Sequence, residues 1–273
     1  MKIALLDFYE RFLDDCIRRF LGNKFCKIIV FSKLKTTFNY PVPFNPMKKQ
    51  LSLLLLLFVI VANSQSREFA KPDYKLIEKS TKDKKSPLYF NTLFDRYIKA
   101  DTTMTMEEKR YLYYGYSFTD AYSPYGGNSD YNKDLNNLLN RDKLDKKEME
   151  KIITLTSKIL KDYPFNIRVK EYRIHFFGEL GRIEEAVKET RQTEMIIEAI
   201  LSTGDGRTID TSFYVINVGN EYELINILGF KYGGEQSLVD FQHDYLKLAD
   251  NEYELEGFYF EMSRSMESLN EKK

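Results

Sequence analysis

The chain is 273 residues long, with 41 Lys and Arg against 41 Asp and Glu, and 43% of its residues are apolar. That balance excludes a protein that works by neutralising nucleic-acid phosphates, which needs a basic excess gathered into a patch. Both cysteines, Cys16 and Cys26, precede Met47, so the chain beyond that point has no thiol for a disulfide framework, a nucleophile or a thiolate metal site.

Residues 1–46 hold eight Lys and Arg and four Asp and Glu, with apolar clusters of no sustained period. They close in Asn39-Tyr-Pro-Val-Pro-Phe-Asn-Pro46, which continues neither a helix nor a central strand. The expectation is a non-native leader from a start codon set too early, with a cytoplasmic extension before a membrane anchor as the alternative. Residues 47–64 read as a signal peptide. Lys48 and Lys49 supply the charge, Leu51 to Ala62 is apolar apart from Ser52, and Ala62 and Ser64 are the small residues before a cut between Ser64 and Gln65. The apolar run falls short of the roughly 20 residues that span a bilayer; an uncleaved anchor is the rival. Export would place 209 residues, with 31 Lys and Arg against 37 Asp and Glu, in the periplasm or outside the cell. The membrane would be met only through the export signal.

Residues 65–85 are expected to be a polar lead-in with at most a turn or two of helix after Pro72-Asp73. A helical layer is expected over 86–201. Ser86-Pro87 reads as an N-cap with proline at the first helical position, opening a helix through Leu88, Phe90, Leu93, Phe94, Tyr97 and Ile98. Thr105 with Glu108 reads as a capping box for a second helix through Tyr111, Leu112, Tyr114 and Tyr116. Ala121 to Asp130 is a loop by its Pro, Gly-Gly and Asn. Its Tyr122 and Tyr125 are candidate binding residues, as stacking faces for a sugar ring or a peptide. The competing reading is that such tyrosines plug neighbouring helices and hydrogen-bond at their tips.

Asp145 and Glu148 cap a helix carrying Met149, Ile152, Ile153, Leu155, Ile159 and Leu160. A second follows through Val169, Tyr172, Phe176 and Phe177 to Leu180-Gly181, and a third runs from Arg182 to Leu201. A helix closing in Tyr163-Pro-Phe-Asn166, then a tight Leu180-Gly-Arg182 turn before Glu184-Glu-Ala186, resembles tetratricopeptide-type repeats over about Met149 to Ala199. That resemblance implies helical-hairpin packing, with Ala186 at a helix crossing.

The period changes at Ser202, and residues 202–273 are expected to form a small, mostly antiparallel β-sheet on the helices, within the same domain. The predicted strands are Phe213 to Val218, then Glu221 to Phe230 after a Gly219-Asn220 hairpin turn, then Gly257 to Met262. Gly233-Gly234 reads as a further turn, 238–248 fits a strand or a helix, and Ser263 to Lys273 reads as a polar tail. The fold class is therefore α+β. Tyr114-Gly-Tyr116, Ser202-Thr-Gly-Asp-Gly-Arg-Thr208, Phe213-Tyr-Val-Ile216, Glu221-Tyr-Glu223, Gln236-Ser-Leu238 and Phe258-Tyr-Phe260 give the chain its likeness to a family. It resembles uncharacterised exported bacterial proteins known as a domain of unknown function, which implies the fold and export but no mechanism.

His175 and His243 lack any zinc-ligand spacing, so no metal or cofactor is expected, and no serine-hydrolase elbow is present. Glu221 and Glu223 are acids without a defined partner. Gly204-Asp-Gly206 makes either a backbone nest for an anion or a helix C-cap and turn, with Asp205 and Arg207 as candidate binding residues. Asp101-Thr-Thr103 is similar to the acceptor motif of some bacterial O-glycosylation systems, with Thr102 as acceptor. The expected function is a non-enzymatic envelope module that binds a protein or a small ligand. The alternatives are an envelope hydrolase with its site between helices and sheet, and a glycan-binding protein using the tyrosine-rich loop.

Overall fold

A computed structural model describes residues 69–125 and 131–271. The leader, the signal peptide, the cut at Ser64–Gln65 and the second half of the 121–130 loop lie outside those residues. Helices come first and a small four-stranded mixed sheet follows, the α+β arrangement expected.

The supposed lead-in contains α1 (Tyr74–Lys82), capped by Asp73, whose carboxylate accepts from the Leu76 N–H at 3.0 Å. Only a narrow stripe of α1 is buried, Ile77 and Thr81 with the Tyr74 hydroxyl, which is why its composition reads as solvated. Upstream, the Ala70 N–H donates to the Ser202 carbonyl at 3.1 Å. α2 (Phe90–Ile98) starts three residues later than Ser86-Pro87 suggests, because Ser86 closes a turn instead. Its hydroxyl accepts from Leu88 N–H at 3.0 Å and its carbonyl from Tyr89 N–H at 3.1 Å. α3 (Met106–Gly115) begins with the expected Thr105–Glu108 capping box. Gly115 lets α3 approach α1, since a Cβ there would meet Thr81 Cγ2 at 2.7 Å.

α4 (Tyr131–Leu139), α5 (Lys146–Asp162), α6 (Ile167–Glu179) and α7 (Ile183–Leu201) complete the helical layer. The Asp145–Glu148 box caps α5 and Asn166 caps α6, its side chain accepting from Val169 N–H at 3.1 Å. These four helices share an apolar cluster that includes Leu135, Ile152, Ile159, Phe177 and Ala186. A second core is aromatic. Phe165, fully buried, sits edge-on to Tyr97 and Tyr116 at centroid distances of 5.2 and 5.1 Å. Its tyrosines satisfy their tips on backbone carbonyls: Tyr97 on Pro164 at 3.1 Å, Tyr114 on Tyr214 at 3.0 Å and Tyr122 on Ile216 at 2.6 Å.

The C-terminal part departs from the sequence reading in four places. β1 is only Phe213–Tyr214, after which Ile216 N–H turns to the Tyr113 hydroxyl at 3.3 Å. The expected hairpin turn and returning strand are a helix, α8 (Gly219–Ile227), opened by Asn217, whose Oδ1 accepts from Gly219 N–H at 2.9 Å. Gly233 and Gly234 lie inside β2 (Tyr232–Val239), where the pairing with β3 (His243–Leu248) shifts register and Gly234 has φ +89°. The polar tail is α9 (Ser263–Glu271); its Arg264 guanidinium lies 4.3 Å from the Phe118 ring centroid and donates to the Ser117 carbonyl at 3.0 Å. With β4 (Gly257–Glu261) the sheet runs β1-β4-β3-β2. β1 is parallel to β4, and the other two pairings are antiparallel.

Candidate functional site

α8 organises the site because its two sides do different work. At 3.6 residues per turn, positions two apart point roughly 200° from each other. Glu221, Leu224 and Ile225 face inward and are fully buried. Gly219, Asn220, Tyr222 and Glu223 instead line a cavity of about 290 Å³. The opposite wall comes from Tyr125, Asn132 of α4, Ile159 of α5, Tyr163, and Asn166 and Arg168 at the start of α6.

The wall mixes satisfied and available polar groups. Asn220 Nδ2 donates to the hydroxyls of Tyr113 at 2.8 Å and Tyr163 at 3.2 Å, which pins α8 to the aromatic core. Asn217 holds its amide in one orientation through the bond to Gly219 N–H, and its Nδ2 is buried with no partner among the described residues. Arg168 meets Glu223 through Nε at 2.5 Å, and its side chain is 53% exposed while that of Glu223 is 7% exposed. Among the described residues, no other hydrogen bond engages the Arg168 guanidinium or the Glu223 carboxylate. Burial raises the Glu223 pKa, and the Arg168 charge opposes the rise. Behind the wall, burial pushes the Glu221 carboxyl well above the usual range, the Asp244 charge adds to the rise, and neither Glu221 oxygen has a hydrogen-bond partner among the described residues.

The residues singled out from sequence fall in separate places. Tyr125 is on the cavity wall and 71% exposed. Tyr122 is buried in the core with its hydroxyl on Ile216. Asp205 and Arg207 sit in the α7–β1 loop, away from the cavity lining. The N–H groups of Asp205 and Gly206 both donate to the Thr211 carbonyl, at 2.9 and 2.7 Å, so they turn inward and hold the loop closed. Asp205 Oδ1 accepts from Arg207 N–H at 3.2 Å. Thr102 is exposed in a turn where Asp101 accepts from Thr103 N–H at 2.9 Å. His175 is exposed against Phe176, and His243 is bonded through Nδ1 to Asp240 at 2.8 Å. Among the described residues, no group of three or more His, Cys, Asp or Glu stands together to hold a metal ion. Reading α8 as a strand hid the site, because it put Glu221 and Glu223 on one face. Asn217 ahead of Gly219, with Glu221 in the first turn, is the helix-start signal that marks α8.

A larger cleft of about 540 Å³ lies among α2, α5, α6 and α7. Its buried charges are matched internally. Lys170 Nζ donates to Glu189 at 2.9 Å and Gln192 at 2.8 Å, and Arg173 donates to Glu189 at 2.6 Å and to Ser157 at 2.6 Å. The smaller cavity therefore has the better claim to a ligand.

The family profile described as a domain of unknown function, DUF4919, matches residues 75–271. Comparison with curated proteins and with solved structures gave no match.

Proposed function

The chain belongs to the DUF4919 family, and with that as premise we propose that it is an exported envelope protein that binds a small polar ligand in the α8 cavity. The observation that carries the reading is the cavity wall. Asn132, Asn166, Asn217 and Asn220 line it, and the Arg168–Glu223 pair adds a cation and a carboxylate at one spot. A concave wall that sets an exposed aromatic ring beside side-chain amides and a half-exposed ion pair suits a small polar ligand.

Export is supported by Lys48 and Lys49, the apolar run to Ala62 and the small residues Ala62 and Ser64. On this reading the working chain begins at Gln65 in the periplasm or outside the cell. The tetratricopeptide-like character of Met149 to Ala199 is supported by Ala186, which is fully buried in the α4–α7 cluster.

The test is retention of small molecules from an envelope extract by the full chain, identified by mass spectrometry, beside Asn132→Trp. Asn132 is exposed on α4, so the indole narrows the cavity without entering the core. The expected result is a molecule retained by the wild type and lost by the variant. Identical retention by both would contradict the reading.

A further inference from the structure

Resting on that reading, we infer that the ligand is a saccharide, held by a diol fork at Arg168 and Glu223 and by ring stacking on Tyr125. Three observations converge. First, among the described residues the charged groups on the wall are Arg168 and Glu223, which are paired with each other, and that favours a neutral ligand over an ion. Second, their contact through Nε alone leaves guanidinium N–H donors next to a carboxylate oxygen. Two adjacent ring hydroxyls match that fork, one donating to Glu223 while its neighbour accepts from Arg168. Third, Tyr125 keeps a large aromatic side chain 71% exposed on this wall, although the neighbouring Tyr122 is buried. An aromatic face presented to water beside hydrogen-bonding groups suits a ligand with one apolar face and a polar edge, which is the anatomy of a pyranose ring.

A zwitterionic amino acid also offers a carboxylate to Arg168 and an ammonium to Glu223. It would gain little from Tyr125, however, and it would have to break the existing ion pair at both ends. A diol leaves that pair in place.

The experiment is ligand-observed NMR and calorimetry on the full chain. The probes are glucose, galactose, mannose, N-acetylglucosamine, cellobiose and maltose, with glycine, leucine and dialanine beside them. The variants are Tyr125→Ala, exposed and outside the core, and Arg168→Met, half-exposed at the start of α6. Far-ultraviolet circular dichroism and the thermal midpoint report their folding. The expected result is binding of at least one saccharide with a Kd of about 1 mM or tighter, weakened about tenfold or more by each variant. Amino-acid or dipeptide binding that responds to Arg168→Met, without saccharide binding, would overturn the saccharide and leave the cavity standing. Saccharide binding indifferent to both variants would overturn the cavity as its site. Silence from every probe, with the extract experiment positive, would overturn the saccharide alone; silence in both experiments overturns both readings.

Discussion

Glu221 gives the most quantitative test of the fold around the site. It is fully buried, neither carboxyl oxygen has a hydrogen-bond partner, and Asp244 is the charge that adds to its desolvation. The folded state therefore holds the proton more tightly than the unfolded chain, whose reference value is 4.5. Stability from this group is fully present below that value and is lost as pH rises through the raised folded pKa. Each unit is worth about 1.4 kcal/mol, so keeping Glu221 protonated costs at most about 3 kcal/mol by pH 7. Glu221→Gln removes the titration while leaving a neutral polar side chain of the same length. Both side chains lack partners, so that penalty largely cancels. The expected result is near-equal stability at about pH 4 and a variant more stable at about pH 7, by no more than about 3 kcal/mol. Urea unfolding across that range measures it. Glu223 and Glu261 also have raised values, but they contribute to both proteins and drop out of the difference. Parallel pH–stability curves, or a variant less stable at pH 7, would refute a neutral buried Glu221.

Ala186 is fully buried among α4–α7, so Ala186→Leu should overpack that cluster and cost about 1–3 kcal/mol; an unchanged denaturation midpoint would place it outside the helix crossing. In the α7–β1 loop, a Cβ on Gly204 would meet the Thr211 carbonyl oxygen at 2.1 Å, and Gly206 has φ +69° with Phe213 2.4 Å from an added Cβ. Gly204→Val and Gly206→Val should both lower the urea midpoint, whereas Asp205→Ala stays within about 0.5 kcal/mol, because what is lost is a partly exposed turn bond and a 4.0 Å contact with the partly exposed Arg207 side chain. Asn220→Ala leaves the hydroxyls of Tyr113 and Tyr163 without their shared donor and should cost about 1–3 kcal/mol in thermal or urea unfolding.

Much of the helical layer, α3 and α5 to α7, was legible from apolar periods and start signals, whereas α1 and α4 were not read and α2 begins later than its signal. Thr105 with Glu108 and Asp145 with Glu148 form the capping boxes their spacing implies, and Asn166 caps α6. α8 was not legible because it is buried on most sides. Glu221, Glu223, Leu224, Ile225 and Ile227 are all inside, so no polar stripe marks a helical period, and Gly219-Asn220 then imitates a hairpin turn. β2 failed for the opposite reason: nearly every residue from Tyr232 to Val239 is exposed, so no buried face alternates. α9 hides its buried side in polar residues, with Arg264 laid on Phe118 and Ser265 and Ser268 packed beneath. At the cavity, Tyr125 was visible as an aromatic in a loop. The Arg168–Glu223 pair was not, because it joins residues 55 apart and depends on α8 being a helix.

Native mass spectrometry of the protein isolated from its own cell envelope tests the central claim most directly, since one spectrum reports both processing and occupancy. The account predicts a polypeptide beginning at Gln65 that carries a non-covalent small-molecule adduct, and loss of that adduct in Asn132→Trp. A polypeptide retaining Met1 or Met47 would contradict export with cleavage. An adduct absent from the wild type, or equally present on the variant, would contradict the cavity as the binding site.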